Sequence, residues 1–191
     1  VEAYTENIDF HKKSLKHITY PFKIIYSVNA RKQIRKVLSD FKPDVVHLNN
    51  FNYQLTPSII YEIKKHNIPI VYTAHDVQLV CPNHKLKNDY TDGLCRKCDG
   101  GKYFECVKNN CVHSSKIRSI LGAVEAWYYK LRHTYKMIDL TVCPSEFMEK
   151  EISRNDDING RTLTMYNFID EIKPLGAECE NYVLYFGRYS E

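Results

Sequence analysis

Polar side chains that could do chemistry follow short apolar runs of the chain. The clearest case is residues 68–73, IPIVYT, which end at Ala74, His75 and Asp76. Imidazole can donate a hydrogen bond to a hydroxyl group or transfer a proton near neutral pH, and the neighbouring carboxylate could orient it or bind a hydroxyl. We therefore predict that His75 and Asp76 are the catalytic residues. The alternative is a histidine satisfied by backbone groups at the end of a strand.

Other apolar runs also end in polar residues. In parallel α/β sheets, ligands bind outside the carboxyl ends of the strands, so side chains at these ends converge on one crevice. Four of these polar residues are predicted to lie at such a crevice, and Ser145 follows a further strand. The four residues are His47, Asn49, Asn50 and Asn167.

The elements that would position these residues alternate along the chain. Helical spacing of apolar residues predicts a helix over 29–41, and the runs at 44–48 and 68–73 predict strands on either side of a second helix that opens at Thr56-Pro57. Strands are also predicted at 138–143 and 162–166, with a helix over 146–153 between them. Short connections between alternating helices and strands indicate a Rossmann-like α/β fold, a parallel sheet with helices on both faces.

A long helix is predicted from Ser114 or Ser115 to about Lys136. Its apolar stripe has a period of 3.6 residues, which favours a helix facing the core, with a helix lying on a membrane surface as the alternative. The stripe consists of Ile117, Ile120, Leu121, Val124, Trp127, Tyr128, Leu131 and Tyr135.

Residues 81–113 interrupt this pattern as a cysteine-rich insert. It holds five of the seven cysteines, and a C-x2-C pair followed by a pair spaced by four residues is typical of a tetrahedral metal site. We predict that four of the five bind a structural Zn²⁺; disulfides and unmodified thiols are the alternatives. The five are Cys81, Cys95, Cys98, Cys106 and Cys111.

Charge is unevenly distributed in this chain of 191 residues with net charge +4. Residues 81–136 contain eleven Lys or Arg and five Asp or Glu, so this segment carries the positive excess. It could attract an anionic membrane, a phosphorylated ligand or nucleic acid, or it could be a solvated lysine-rich surface. A run of eighteen apolar residues is absent, and so are P-loop, G-x-G-x-x-G, H-E-x-x-H and G-x-S-x-G patterns.

Five motifs together resemble one enzyme family. They are FKPDVVHL at 41–48, VYTAHD at 71–76, CPSEF at 143–147, YNFID at 166–170 and YFGR at 185–188. In this order and spacing they resemble family-4 glycosyltransferases of the GT-B fold, in which two Rossmann-like domains face a cleft. Cys81-Pro82 with the cysteines that follow is similar to a bacterial subgroup, many of whose members build surface polysaccharides.

The resemblance implies a function and residue roles. The N-terminal domain would hold a glycan or lipid-linked acceptor and the C-terminal domain a nucleotide-sugar donor, and transfer would retain the anomeric configuration without a catalytic cofactor. His75 matches the cleft histidine near the donor sugar. Gly187 and Arg188 match the Gly-Arg step that contacts the donor diphosphate, where a guanidinium fork is well suited. Ser145 matches the serine that opens the helix after the Pro-Ser turn and is predicted to bind the donor with them, the alternative being that it only caps that helix. The resemblance also implies that four polar residues lie on the acceptor side: His47, Asn49, Asn50 and Asn167.

The same resemblance predicts the domain organisation. Residues 1–170 would be an incomplete acceptor domain, 171–181 a linker, and 182–191 the first strand of a donor domain, so that the GT-B fold is truncated at both ends and the piece alone is expected to be inactive. We expect a cytoplasmic enzyme with peripheral contact to the inner face of the plasma membrane.

Two other functions are considered. One is a zinc-containing nucleic-acid-binding module, based on the basic, aromatic and Cys-rich insert. Nucleic acid is disfavoured because the cysteine spacing fits no common finger and leaves the polar strand ends unexplained. The other is a non-catalytic interaction domain.

Overall fold

The computed structural model describes residues 23, 25–52, 55–88 and 93–168. The predicted linker at 171–181 and the predicted strand at 182–186 lie outside these residues. Helices and strands alternate through the first half of the described chain. In order they are α1 (Val28–Phe41), β1 (Val46–Asn49), α2 (Ser58–Lys65) and β2 (Ile70–Thr73).

The second half of the described chain continues the alternation after a longer connection. Two short 3-10 helices, Asp99–Gly101 and Thr134–Met137, lie before and after the longest helix. The remaining elements are α3 (Phe104–Lys108), α4 (Lys116–Leu131), β3 (Leu140–Cys143), α5 (Glu146–Ile152) and β4 (Thr162–Thr164).

Serine side chains begin three of the helices. The hydroxyl of Ser27 accepts a hydrogen bond from the backbone N–H of Ala30 at 3.1 Å. Ser115 and Ser145 have extended backbones and cap α4 and α5 in the same way. Each cap satisfies an N–H that has no partner inside the helix, which stabilises a helix start by about 1 kcal/mol. The sequence predicted a cap at Ser114 or Ser115, of which the structure uses Ser115, and one at Ser145.

The sheet is parallel, with the strand order β1-β2-β3-β4. Leu48 pairs with Tyr72, and Tyr72 with Thr141, so these three residues form one row across the sheet. Each crossover between neighbouring strands contains at least one helix, as parallel pairing requires. The prediction of a Rossmann-like α/β fold with a parallel sheet is confirmed.

One face of the sheet carries the core. The row Leu48, Tyr72 and Thr141 is buried, and it belongs to a core that also takes apolar side chains from α2, α4 and α5. On the opposite face His47 is exposed, as is Leu163. In the residues that the structure describes, the helical layer therefore packs on the face of Leu48 and Tyr72.

Helix α4 differs from its prediction in length and in orientation. It ends at Leu131 rather than near Lys136, because His133 adopts a left-handed backbone (φ 49°) that turns the chain into the second 3-10 helix. Its buried side consists of Ser119, Ala123 and Tyr129. The prediction that the apolar stripe faces the core is wrong for four of its members, which are exposed: Ile117, Ile120, Val124 and Leu131.

The cysteine-rich segment 81–113 packs against α4 and α5. Tyr103 is buried, and its ring lies 6.3 Å from that of Trp127, whose indole N–H donates to the carbonyl of Gly101 at 2.9 Å. Arg96 binds the buried carboxylate of Glu151 on α5, with 3.0 Å between Nε and Oε2. These contacts hold the described part of the segment on the domain.

Candidate functional site

The carboxyl ends of β1 and β2 lie side by side. Asn49 pairs with Thr73, and Thr73 pairs in turn with Val142 of β3, so the residues that follow these strands leave the sheet at one edge. His47 is joined to Thr73 by a 2.7 Å hydrogen bond between Nε2 and Oγ1. The predicted convergence of polar strand ends is therefore observed between β1 and β2.

His75 is held by the neighbouring strand. Its ring is exposed, and Nε2 lies 2.8 Å from the side-chain oxygen of Asn49. An amide oxygen can only accept a hydrogen bond, so Nε2 carries the proton and donates it. In the neutral ring Nδ1 is then the acceptor, so the imidazole can accept a hydrogen bond from a substrate hydroxyl group.

Asp76 is fixed by two partners. Oδ1 accepts from the backbone N–H of Gln78 at 2.9 Å, and Oδ2 lies 3.2 Å from Nδ1 of His84 in the cysteine-rich segment. Burial opposes ionisation of the carboxyl group, but these hydrogen bonds and the nearby His75 outweigh it, so the pKa of Asp76 is below its ordinary value. Asp76 is therefore a carboxylate near neutral pH, suited to accept hydrogen bonds from hydroxyl groups.

A small polar cavity of about 20 Å³ lies beside His84, with Asn52, Gln78 and Glu125 in its wall. Burial raises the pKa of Glu125 to about 7, and His84 offsets part of this rise. The cavity is large enough for a single water molecule or hydroxyl group.

The other predicted residues have different positions. Ser145 follows β3, and its hydroxyl accepts from the backbone N–H of Met148 at 3.2 Å, so in this structure it caps α5. Asn50 is exposed in a left-handed conformation (φ 32°) just after β1, and Asn167 is exposed after β4. Gly187 and Arg188 lie outside the described residues. Among the predicted site residues, His75 and Asn49 are joined directly by a side-chain hydrogen bond.

The five cysteines of the segment 81–113 line one small cavity of about 10 Å³. Burial and the neighbouring Cys111, which hydrogen-bonds to it, together raise the pKa of Cys106 to about 12. A metal ligand must be a thiolate, which this environment disfavours in the absence of a cation.

The structure does not support the predicted zinc site. Over the described ranges, no three His, Cys, Asp or Glu side chains are placed to hold one ion. The six cysteines in these ranges form no disulfide with one another either. The pattern of cysteines was a correct guide to a common cavity, but the geometry of a tetrahedral site is not present.

The fold and the site together define a class of protein, a Rossmann-like domain with a histidine, a carboxylate and amides at the carboxyl edge of a parallel sheet. The model of the family "Glycosyltransferase Family 4" matches residues 3–172. The chain belongs to this family.

A protein of similar sequence matches part of the chain, whereas the solved structures give no match. The chain is 31% identical over 62 residues to a Klebsiella pneumoniae protein described as an "uncharacterized 42.6 kDa protein in cps region". The alignment spans 32% of this chain and 16% of that protein, so the chain corresponds to a small part of its relative. No solved structure matches the chain.

The sequence did not indicate that His84 and Glu125 belong to the site. His84 lies within the cysteine-rich segment, and the structure places its ring on Asp76. Glu125 went unnoticed although it lies four residues after Leu121 and four before Tyr129, and thus on a largely apolar side of the helix. A carboxylate on an apolar side of a helix could have indicated a functional residue, because an ionised group there must be solvated, paired or functional.

Proposed function

We propose that this chain is the acceptor-binding part of a retaining glycosyltransferase that uses a nucleotide-sugar donor. The observation that carries the proposal is the His75–Asn49 pair at the carboxyl edge of the sheet, in a chain that belongs to glycosyltransferase family 4. In the reaction the bond from the anomeric carbon to the diphosphate breaks. A bond to the acceptor oxygen forms on the same face, and the acceptor hydroxyl loses its proton.

Each site residue has a role in this proposal. His75 binds a hydroxyl of the transferred sugar through its ring, and Asn49 fixes the ring by accepting a hydrogen bond from Nε2–H. Asp76, an acceptor of hydrogen bonds, binds a hydroxyl group of a substrate. Gly187 and Arg188 are proposed to contact the donor diphosphate, and His47, Asn50 and Asn167 to lie towards the acceptor.

The biological setting is also part of the proposal. The location of the Klebsiella relative in a cps region, together with the resemblance to enzymes of surface polysaccharides, supports a role in polysaccharide synthesis. The acceptor is then a glycan or a lipid-linked glycan, and the enzyme works in the cytoplasm at the inner face of the membrane. Across the residues described here, no helix is long and apolar enough to span a membrane.

The test uses the complete natural protein that contains this chain. It is incubated with a panel of nucleotide sugars and a lipid extract of the producing cells that supplies the acceptor, and release of nucleoside diphosphate is measured. We expect release from at least one donor, and a loss of about 100-fold in His75→Ala, the range expected for a group that acts on the reacting sugar. Residues 1–191 alone form a second arm, in which we expect no release.

A matched control is His66→Ala. His66 is exposed at the end of α2, before the amino end of β2 and so at the opposite edge of the sheet from His75, and this variant should retain full activity. Asn49→Ala should lower kcat less than His75→Ala, because the imidazole remains and loses only its orientation. Equal activity of His75→Ala and His66→Ala would refute the assigned role, and the absence of release with every donor would refute the proposed reaction.

A further inference from the structure

Between α3 and α4 there is an open groove of about 610 Å³ on the surface of the cysteine-rich segment. Its wall includes residues of the stripe that the sequence placed in the core. Ile120 and Val124, which are 42% and 41% exposed, lie one helical turn apart, and Phe104 faces them from α3 with 52% exposure. Val107 and Trp127 complete the apolar wall.

The charged side chains in the wall of the groove are all positive. Lys108 and Lys116 belong to its wall, both are exposed, and the wall contains no Asp or Glu. Lys116 precedes Ile120 by four residues, so an ammonium group and two apolar side chains lie in line on α4. An apolar channel with cations at its rim matches an anionic amphiphile, whose chain enters the channel while its headgroup meets the lysines.

We propose that this groove docks on a bilayer and takes an acyl chain of an anionic phospholipid. The inference rests on the proposed function, because an enzyme that uses a lipid-linked acceptor must work at a bilayer. The groove extends along an exposed face that continues to Ile117 and Leu131, which are 73% and 79% exposed. A contiguous exposed apolar surface of this kind marks an interaction site. The cationic rim favours an anionic lipid over a second copy of this chain, which would bring lysines against lysines.

The experiment measures co-sedimentation of the complete protein with vesicles. One set is phosphatidylcholine alone, and the other contains about 30 mol% phosphatidylglycerol, each at low and at physiological salt. We expect binding to the anionic vesicles that weakens as salt increases. Replacing both lysines (Lys108→Gln with Lys116→Gln) should weaken binding about 30-fold, since each lysine near an anionic surface contributes about fivefold.

The apolar part of the groove is tested separately. Ile120→Gln with Val124→Gln should weaken binding at least about tenfold, because two branched side chains lose their apolar contact with the acyl chain. The matched controls are Leu163→Gln, which removes an equally exposed apolar side chain at β4, and Lys32→Gln with Lys36→Gln on α1. Both should bind like the unaltered protein. All substituted positions are exposed or half-exposed, so circular dichroism should show an unchanged fold.

The outcomes separate the inference from the proposed function. Failure of the unaltered protein to bind anionic vesicles at low salt would overturn it, as would equal binding by the groove variants and the controls. Self-association that disappears in the Ile120/Val124 variant, without vesicle binding, would assign the groove to a second copy instead. His75→Ala should lower nucleotide release about 100-fold and retain vesicle binding. The groove variants should retain nucleotide release when the acceptor is supplied in detergent, without a bilayer.

Discussion

The buried carboxyl group of Glu125 makes a prediction that needs no substrate. Its pKa is about 7 in the folded protein, because burial penalises the charged form, and the ordinary value is 4.5. The folded state therefore binds the proton more tightly than the unfolded state. Stability from this group is fully present below about pH 4.5 and is lost as the pH rises through about 7. The difference between 4.5 and about 7 corresponds to about 3 kcal/mol.

The perturbation is Glu125→Gln, which resembles the protonated side chain in shape and has no charge to lose. At about pH 4 the two proteins should have nearly equal free energies of unfolding, and at about pH 8 the variant should be more stable by about 3 kcal/mol. His84, which offsets part of the rise in the pKa of Glu125, is present in both proteins, so the comparison isolates Glu125. The measurement is urea unfolding followed by circular dichroism at both pH values.

A surface control accompanies this comparison. Asp40→Asn removes an exposed carboxylate of α1 and shows what the loss of a surface charge does to the unfolding curve. The reasoning is refuted if Glu125→Gln and the unaltered protein lose the same stability between the two pH values. It is also refuted if the variant is the less stable protein at the higher pH, because Glu125 would then be a stabilising carboxylate.

Two further predictions concern buried groups elsewhere. Glu62 accepts hydrogen bonds from Arg35 at 2.7 Å and Arg31 at 2.6 Å, which outweigh burial and lower its pKa to about 2. Its contribution is present above about pH 4.5 and is lost as the pH falls towards 2, so Glu62→Gln should cost about 2 kcal/mol at neutral pH and much less at about pH 2 in urea unfolding. Burial raises the pKa of Cys106 to about 12 and of Cys143 to about 11. Mass spectrometry should therefore show slow alkylation of both by iodoacetamide in the native protein and rapid alkylation in urea, and fast native labelling would contradict their burial.

The strands and the first helices could be predicted because local signals and the final environment agree there. Residues 68–73 are apolar and β-branched, and the structure has a strand with two buried side chains, Ile70 and Tyr72. Ser145 was a recognisable cap, and it caps α5. Where a strand ends on His75-Asp76, the parallel sheet itself determines that these groups reach the ligand edge.

Helix α4 shows where prediction from the sequence fails. Its periodicity reveals an apolar face but not what covers that face, and the small residues Ser119 and Ala123 allow the opposite side to approach the core closely. The contact of His84 with Asp76 could not be predicted, because it depends on how the segment 81–113 folds back towards the strand ends. No local sequence pattern specifies the turns of this segment. Spacing placed five cysteines together, but it did not determine their distances or directions.

The contact between His84 and Asp76 has a thermodynamic consequence. The cysteine-rich segment and the strand ends share a hydrogen bond, so any ligand or modification that reorders the segment changes the free energy of the site. By reciprocity, a substrate that binds Asp76 must change the affinity of the segment for that ligand by the same factor. The segment would then act as a second input that tunes the occupancy of the cleft.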